Sequence, residues 1–306
     1  MMSETGGPTV EEDLVGIVVF QSDFGLRDGA VAAMKGVASG VDRSLQLYDL
    51  THQIPPYTIW DGAYRLYQTI EYWPEGTVFV SVVDPGVGSS RKSVVARTGS
   101  GHYVVTPDNG TLTLIDEVYG VEEMREIDEA VNRRLDSHSP YTFHGRDVYA
   151  YTGARLASGK ITFEEVGPLL EPHPHVLEYQ RPSIEGDILK GAIPALDIRF
   201  GNVWSNIGED LAKQFGMKLG ENYRVEVFED DDLRFSGVVP YVKVFAEVEG
   251  EQPLLYLNSL NKLSIATNLG SFAQEYGLDH GSEWTLTVSH VEDGEDALDG
   301  EEWERP

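Results

Sequence analysis

The sequence predicts an α/β protein: an N-terminal, mainly parallel sheet flanked by helices, followed by a C-terminal antiparallel β-barrel-like domain. Three observations point there. In the first half, short β-branched apolar runs alternate with segments of helical spacing. Prolines then cluster at 168, 172, 174 and 182. Beyond them only short alternating runs occur, as in antiparallel sheets.

VGIVVF (15–20) is a short, mostly apolar, β-branched run and predicts a buried strand. A turn follows from Gly25 to Gly29. The next segment, to Gly40, has helical spacing, with Val31, Met34 and Ala38 on one side. LQLYDL (45–50) predicts a second strand. Ile59 to Trp73 predicts a helix that Pro74-Glu75-Gly76 stops. TVFVSVV (77–83) is a third strand, ending in DPGVG, and further strands follow at 93–97 and 102–106. Gly145 to Ser158 predicts a helix. Strand after helix after strand implies a sheet covered on both faces. The domain boundaries are a leader over 1–14, an α/β domain over 15–167, a linker over 168–190, a β domain over 191–290 and an acidic tail over 291–306. The leader and tail are expected to be disordered. In the β domain, AIPALDIRF, YRVEVF, VKVFAEV, LLYLN, LSIAT and WTLTVSH are the expected strands.

Composition narrows the chemistry. The 306 residues include no cysteine, which excludes disulfides, thiolate metal sites and cysteine nucleophiles. The net charge of −28 would repel a phosphate backbone, so nucleic acid is not an expected partner. It also predicts a protein stabilised by salt, which screens self-repulsion. No apolar run reaches the ~18–20 residues of a membrane span, and the N-terminus has no signal-peptide pattern. A cytoplasmic location is the expectation.

Polar residues gather just after the strand-like runs, where open α/β sheets bind their ligands. The segments are SDFG (22–25), DPGVGSSRK (84–92), TPDNG (106–110) and FHGRD (143–147). Asp23 could accept two hydrogen bonds from a vicinal diol, or cap the following turn. Asp84 and Arg91 could form a bidentate pair that positions a small anion or water, or a structural salt bridge. His144 could accept a proton near neutral pH, or be structural. Asp23, Asp84, Asp108, His144 and Asp147 could also form a divalent-metal hydrolase site, although no tight ligand spacing marks one. In DIRFGNVWSNIG (197–208), an aromatic and an amide could stack on and read a purine, or simply pack inward.

Together these strings resemble the S-adenosylmethionine hydroxide adenosyltransferases, relatives of fluorinase and chlorinase enzymes. SDFG, DPGVG with Arg91, PDNG, FHGRD, FGNVWSNIG and Asn258-Ser259 occur in the family's order between about Val15 and His290. The resemblance implies hydrolysis of S-adenosylmethionine at ribose C5′ to adenosine and methionine, with no cofactor and no metal. It implies a homotrimer whose ligand lies between neighbouring subunits. By position, Asp84, Arg91 and His144 match the water-activating triad, and Asp23 matches the residue holding the ribose hydroxyls. Phe200 and Asn202 match adenine contacts, Asp197 the acceptor for the methionine ammonium and Ser259 a carboxylate contact. Backbone near Thr267 to Leu269 matches the adenine edge.

The halogenating relatives carry Tyr where Asp84 stands, Tyr-Ser at His144-Gly145, and a longer loop, so water is expected as the nucleophile. A chlorinase-like halogenase and a non-catalytic S-adenosylmethionine or nucleoside sensor are the alternatives. Two departures concern the methionine end: Leu260 replaces an Arg, with Lys262 a possible substitute, and Ala30 replaces a Ser.

Overall fold

The computed structural model describes residues 16–135, 137 and 142–291. The leader expected over 1–14 and residues 292–306 of the expected tail lie outside them. The chain divides into two compact units between Val176 and Leu177.

The N-terminal unit is built on one seven-stranded sheet. In chain order its elements are β1 (Ile17–Ser22), α1 (Ala30–Val41), β2 (Gln46–Thr51), α2 (Ile59–Thr69), β3 (Val78–Val82), β4 (Ser93–Thr98), β5 (Tyr103–Pro107), α3 (Thr113–Tyr119), β6 (Val121–Glu126), α4 (Tyr151–Ala157) and β7 (Leu169–Leu170). The strand order is β2-β1-β3-β5-β4-β6-β7. β2, β1, β3 and β5 run parallel; β4, β6 and β7 extend the sheet antiparallel.

Period-2 alternation divides the strand side chains between two cores. Val18, Phe20, Val78 and Val80 pack with Met34 and Ala38 of α1 and Ala154 of α4. Val19 and Phe79 point the other way, onto Leu66 of α2 and Ile115 of α3. Because both faces are covered, β3 is buried along its whole length; it is apolar except for Ser81, whose hydroxyl accepts from Gln21 Nε2 at 2.6 Å.

The connections from β1 diverge. The chain crosses through α1 to β2 on one side, then returns through α2 to β3 on the other. The carboxyl ends of β1 and β3 therefore flank the topological switch point, where such sheets form a crevice. Asp23 follows β1 and Asp84 lies two residues past β3.

The C-terminal unit has two antiparallel sheets, ordered β10-β11-β15-β14 and β13-β12-β16-β9-β8. The strands are β8 (Ser183–Glu185), β9 (Ile188–Ile193), β10 (Ala195–Asp197), β11 (Asn202–Gly208), β12 (Asn222–Glu229), β13 (Asp232–Pro240), β14 (Pro253–Leu257), β15 (Lys262–Thr267) and β16 (Gly281–His290), with helices α5 (Glu209–Phe215) and α6 (Phe272–Tyr276). Val203, Ile265 and Leu255 from one sheet share a core with Val225, Val239 and Leu286 from the other. The arrangement is two facing sheets without a closed barrel.

One expected strand differs. VKVFAEV (242–248) is not a strand; it follows a single bridge at Tyr241 and contains a 3₁₀ turn at Phe245–Glu247. Its apolar residues are satisfied by packing, with Phe245 stacked edge-on to Tyr256 at 4.9 Å. Conversely, the acidic run at 230–232 contains a hairpin turn, with Asp230 at φ +51° and Glu229 paired to Asp232. Aspartate tolerates that left-handed conformation better than most residues. No described helix is long and apolar enough to cross a membrane.

Candidate active site

The turn after β3 is rigidly held. Asn109 donates from Nδ2 to the Val83 carbonyl at 2.8 Å, one residue before Asp84. Asp108 accepts the His175 N–H at 2.8 Å. The PDNG segment is thus a latch on the backbone that presents Asp84, rather than a source of free carboxylate.

Arg91 grips Asp84 with two nitrogens, Nε to Oδ1 at 2.7 Å and Nη2 to Oδ2. The two side chains are only 12% and 6% exposed, so the pair is largely desolvated and its fork geometry well defined. Nη1 continues to the Ser93 hydroxyl at 3.2 Å, and Ser93 meets the Tyr149 hydroxyl at 3.0 Å. The Arg91 guanidinium also lies 5.9 Å from the centre of the Tyr149 ring. Burial opposes charge on Arg91, but Asp84 and Tyr149 outweigh it and keep the guanidinium firmly protonated.

His144 stands at the start of a π-helical turn, Gly145–Ala150, that leads into α4. Such wide turns recur at functional sites. The imidazole is 6% exposed and lies edge-on to Tyr149, with ring centres 6.4 Å apart. Burial pushes it below its ordinary value; Arg133 and Arg91 add to that, while Glu129 and Asp84 oppose it. The neutral imidazole, able to accept a proton, is the form favoured at neutral pH. Gly145 is required by space: a Cβ there would come within 3.1 Å of the Phe24 ring and 3.3 Å of Phe143.

Arg91, which carries Asp84 with it, and His144 therefore lie against one buried ring, that of Tyr149. Asp147 does not join them. It is fully buried, and hydrogen bonds from Arg146 and Arg134 overcome the effect of burial and hold its carboxyl below the usual range. With Asp84, Asp108 and Asp147 each engaged by a donor, no cluster of three or more His, Asp or Glu among the described residues is arranged to hold a metal.

Asp23 faces the segment after β2. Its Oδ2 accepts the Tyr57 N–H at 2.9 Å. Tyr57 itself is 72% exposed and sits at φ +70°, an unusual conformation for a bulky residue. Tyr57, Tyr149 and Ser93 were not legible in the sequence as site residues, since no spacing rule marks them. A cavity of about 640 Å³ lies elsewhere in this unit, against Gly36, Gly40, Arg146 and Arg155. None of the predicted residues lines it.

In the C-terminal unit, Asp197, Phe200 and Asn202 occupy one tight turn. The Asp197 carbonyl accepts the Gly201 N–H at 2.7 Å, with Gly201 at φ +70°. Phe200 is left 62% exposed, while Asn202 is buried. Asn202 begins β11, whose partner β15 ends at Thr267, and Leu269 follows at φ +59° and 91% exposed. Tyr256 joins this group: its hydroxyl, pushed up by burial, interacts with Trp204, Asp197 and Asn202. Ser259, Leu260 and Lys262 lie at the opposite end of β15, at the tip of the β14–β15 hairpin. The length of the strand, roughly 3.3 Å per residue, separates Ser259 from Thr267.

A switch-point crevice that sets a bidentate Asp–Arg pair beside a buried neutral imidazole defines an enzyme acting on a small polar molecule. The chain belongs to the S-adenosylmethionine (SAM) hydroxide adenosyltransferase family: residues 18–167 match the model of its N-terminal domain and 191–285 that of its C-terminal domain. It is 37% identical over 209 residues to an (R)-S-adenosyl-L-methionine hydrolase of Methanocaldococcus jannaschii, covering 67% of this chain and 72% of that one. It is 30% identical over 302 residues to a fluorinase of Actinopolyspora mzabensis, covering 89% and 97%. A crystal structure of a conserved protein from Thermotoga maritima superposes with a TM-score of 0.81 at 32% identity, covering 89% of this chain and all of that one.

Proposed function

We propose that this chain hydrolyses S-adenosyl-L-methionine at ribose C5′, giving adenosine, L-methionine and a proton. One observation carries the choice of water over halide: the Asp84–Arg91 pair and His144 share the Tyr149 ring. A halide needs a dry pocket short of competing negative charge, and the Asp84 carboxylate is the opposite of that.

The sulfonium is already cationic, so the thioether leaves as a neutral group and needs no acid. The limiting part is the nucleophile. Asp84 and Arg91 orient one water in line with the C5′–S bond, and Arg91 stabilises its developing hydroxide character. The oxygen bonds to C5′ as the C5′–S electron pair departs with sulfur, and the water's proton passes to neutral His144. Asp23 holds the ribose hydroxyls. Phe200 and Asn202 hold adenine, with backbone from Thr267 to Leu269 at its edge. Asp197 takes the methionine ammonium, and Ser259, with Lys262 in place of the missing Arg, takes the carboxylate. No cofactor or metal enters the scheme.

The chain is further inferred to work in the cytoplasm as a homotrimer, with the Asp84 half of the site from one subunit and the Phe200 half from its neighbour. The resemblance of the motif string supports this, and sedimentation equilibrium tests the trimer. The activity itself is tested by incubating the protein with each sulfonium epimer of S-adenosylmethionine, since relatives are named for the (R) form. Adenosine is the expected product; a protein that binds either epimer and releases nothing is a sensor instead.

A further inference from the structure

Beneath Asp23 lies a second polar chain that the reaction scheme does not use. The Ser22 hydroxyl is 2.7 Å from His52 Nδ1, and His52 Nε2 is 3.0 Å from Asp49 Oδ1. Asp49 Oδ2 in turn receives Lys35 Nζ at 2.6 Å. Ser22 and His52 are buried. The sequence Ser–His–Asp evokes a nucleophilic triad, but the Ser22 oxygen has no access to solvent, so it attacks nothing.

The donor roles in this chain are forced. Asp49 is paired with Lys35, and hydrogen bonds from Lys35 and His52 outweigh burial and hold its carboxyl low. It accepts; burial pushes His52 below its ordinary value, so the ring is neutral, Nε2 carries its one proton and Nδ1 is the acceptor. Ser22 must then donate to Nδ1. Its oxygen keeps a lone pair that accepts the Phe24 N–H at 3.3 Å. The His52 carbonyl accepts the Gly25 N–H at 2.8 Å. His52 thus grips the SDFG turn twice, through Ser22 before Asp23 and through Gly25 after it. The same segment, five residues on, supplies the Tyr57 N–H to Asp23 Oδ2.

We propose that His52, oriented by Asp49, is a positioning residue for substrate binding: through Ser22 and Gly25 it fixes the turn that aims the Asp23 carboxylate at the ribose diol. This rests on Asp23 holding that diol, as proposed above. The chain touches no reacting atom, so its effect falls on recognition of the ribose and not on the chemical step.

The test is calorimetric binding of adenosine and of 2′-deoxyadenosine, with KM and kcat for S-adenosylmethionine measured beside it. The wild type should prefer adenosine, and Asp23→Ala should lose that preference. His52→Ala should lose most of it too, with KM raised about tenfold and kcat within about twofold, the pattern of lost binding rather than lost catalysis. His52→Asn places an amide oxygen where Nδ1 stood and should restore much of the preference. Should His52→Ala fail to fold, Ser22→Ala removes one oxygen and should show the same loss. Retained preference in folded His52 or Ser22 variants, with only a lower melting temperature, overturns the proposal. No preference in the wild type would instead sink the role given to Asp23.

Discussion

The Ser93 hydroxyl meets the Tyr149 hydroxyl at 3.0 Å, tying β4 to the π-helical turn that begins beside His144. Ser93 also receives Arg91, so one buried tyrosine supports Arg91 directly, Asp84 through Arg91, and His144 at its ring edge. Burial pushes the Tyr149 hydroxyl far up, so it stays a neutral donor or acceptor throughout the working range. Tyr149→Phe keeps the ring and removes the links its hydroxyl makes to Ser93 and Arg91. It should destabilise by about 1–3 kcal/mol, the penalty of leaving a buried polar partner unmatched, and lower kcat more than it raises KM. Thermal melts and steady-state kinetics check both.

Asp84→Asn and Arg91→Lys each remove the two-pronged pairing while keeping size. Lysine presents a point charge and cannot reproduce the fork. Each should reduce kcat by about 10²–10³-fold, the scale of losing one preorganised electrostatic contact. Equilibrium binding of adenosine should stay close to wild type. A loss of adenosine binding equal to the loss of kcat would assign the pair to substrate binding.

His144→Ala should slow turnover by about 10²–10⁴-fold, the range of a positioned general base, with KM little changed. Because burial holds His144 of the free enzyme below its ordinary value, kcat/KM should fall on the acid side, and that fall should be absent in the alanine variant. The same shift affects stability. The unfolded chain binds the proton more readily, so the stabilisation is complete above about pH 6.5 and is lost as pH falls through the folded value. Asp147 acts in the same direction at lower pH, being held below the usual carboxylate range. Melting temperature against pH should therefore decline on acidification, with a smaller decline below the ordinary histidine range in His144→Ala.

Salt should stabilise this chain. With a net charge of −28, self-repulsion opposes folding until counter-ions screen it. Melting temperature should rise between low and molar KCl, and a flat or falling curve would contradict this screening account. EDTA should leave activity unchanged; a loss restored by Mg²⁺ would bring the metal site back.

Much of the fold was legible because buried parallel strands write themselves as mostly apolar, β-branched runs, as β1 and β3 do. β6 and α3 were not, since charged residues such as Glu122, Glu123 and Asp116 interrupt their pattern. The strand expected at 242–248 failed because packing of Phe245 and Val248 on Tyr256 satisfies the same apolar residues without a sheet. Of the site, the motif positions carried Asp23, Asp84, Arg91 and His144, while the ring against which Arg91 and His144 lie was invisible. Tyr149 belongs to no spacing rule; it matters only because a π-helical turn directs it under β4.

The most direct measurement is mass spectrometry of the products formed from S-adenosylmethionine in H₂¹⁸O with chloride present. A water nucleophile oriented by Asp84 and Arg91 predicts adenosine carrying one ¹⁸O at the 5′ position, together with methionine. Formation of 5′-chloro-5′-deoxyadenosine, or adenosine without the label, would contradict it.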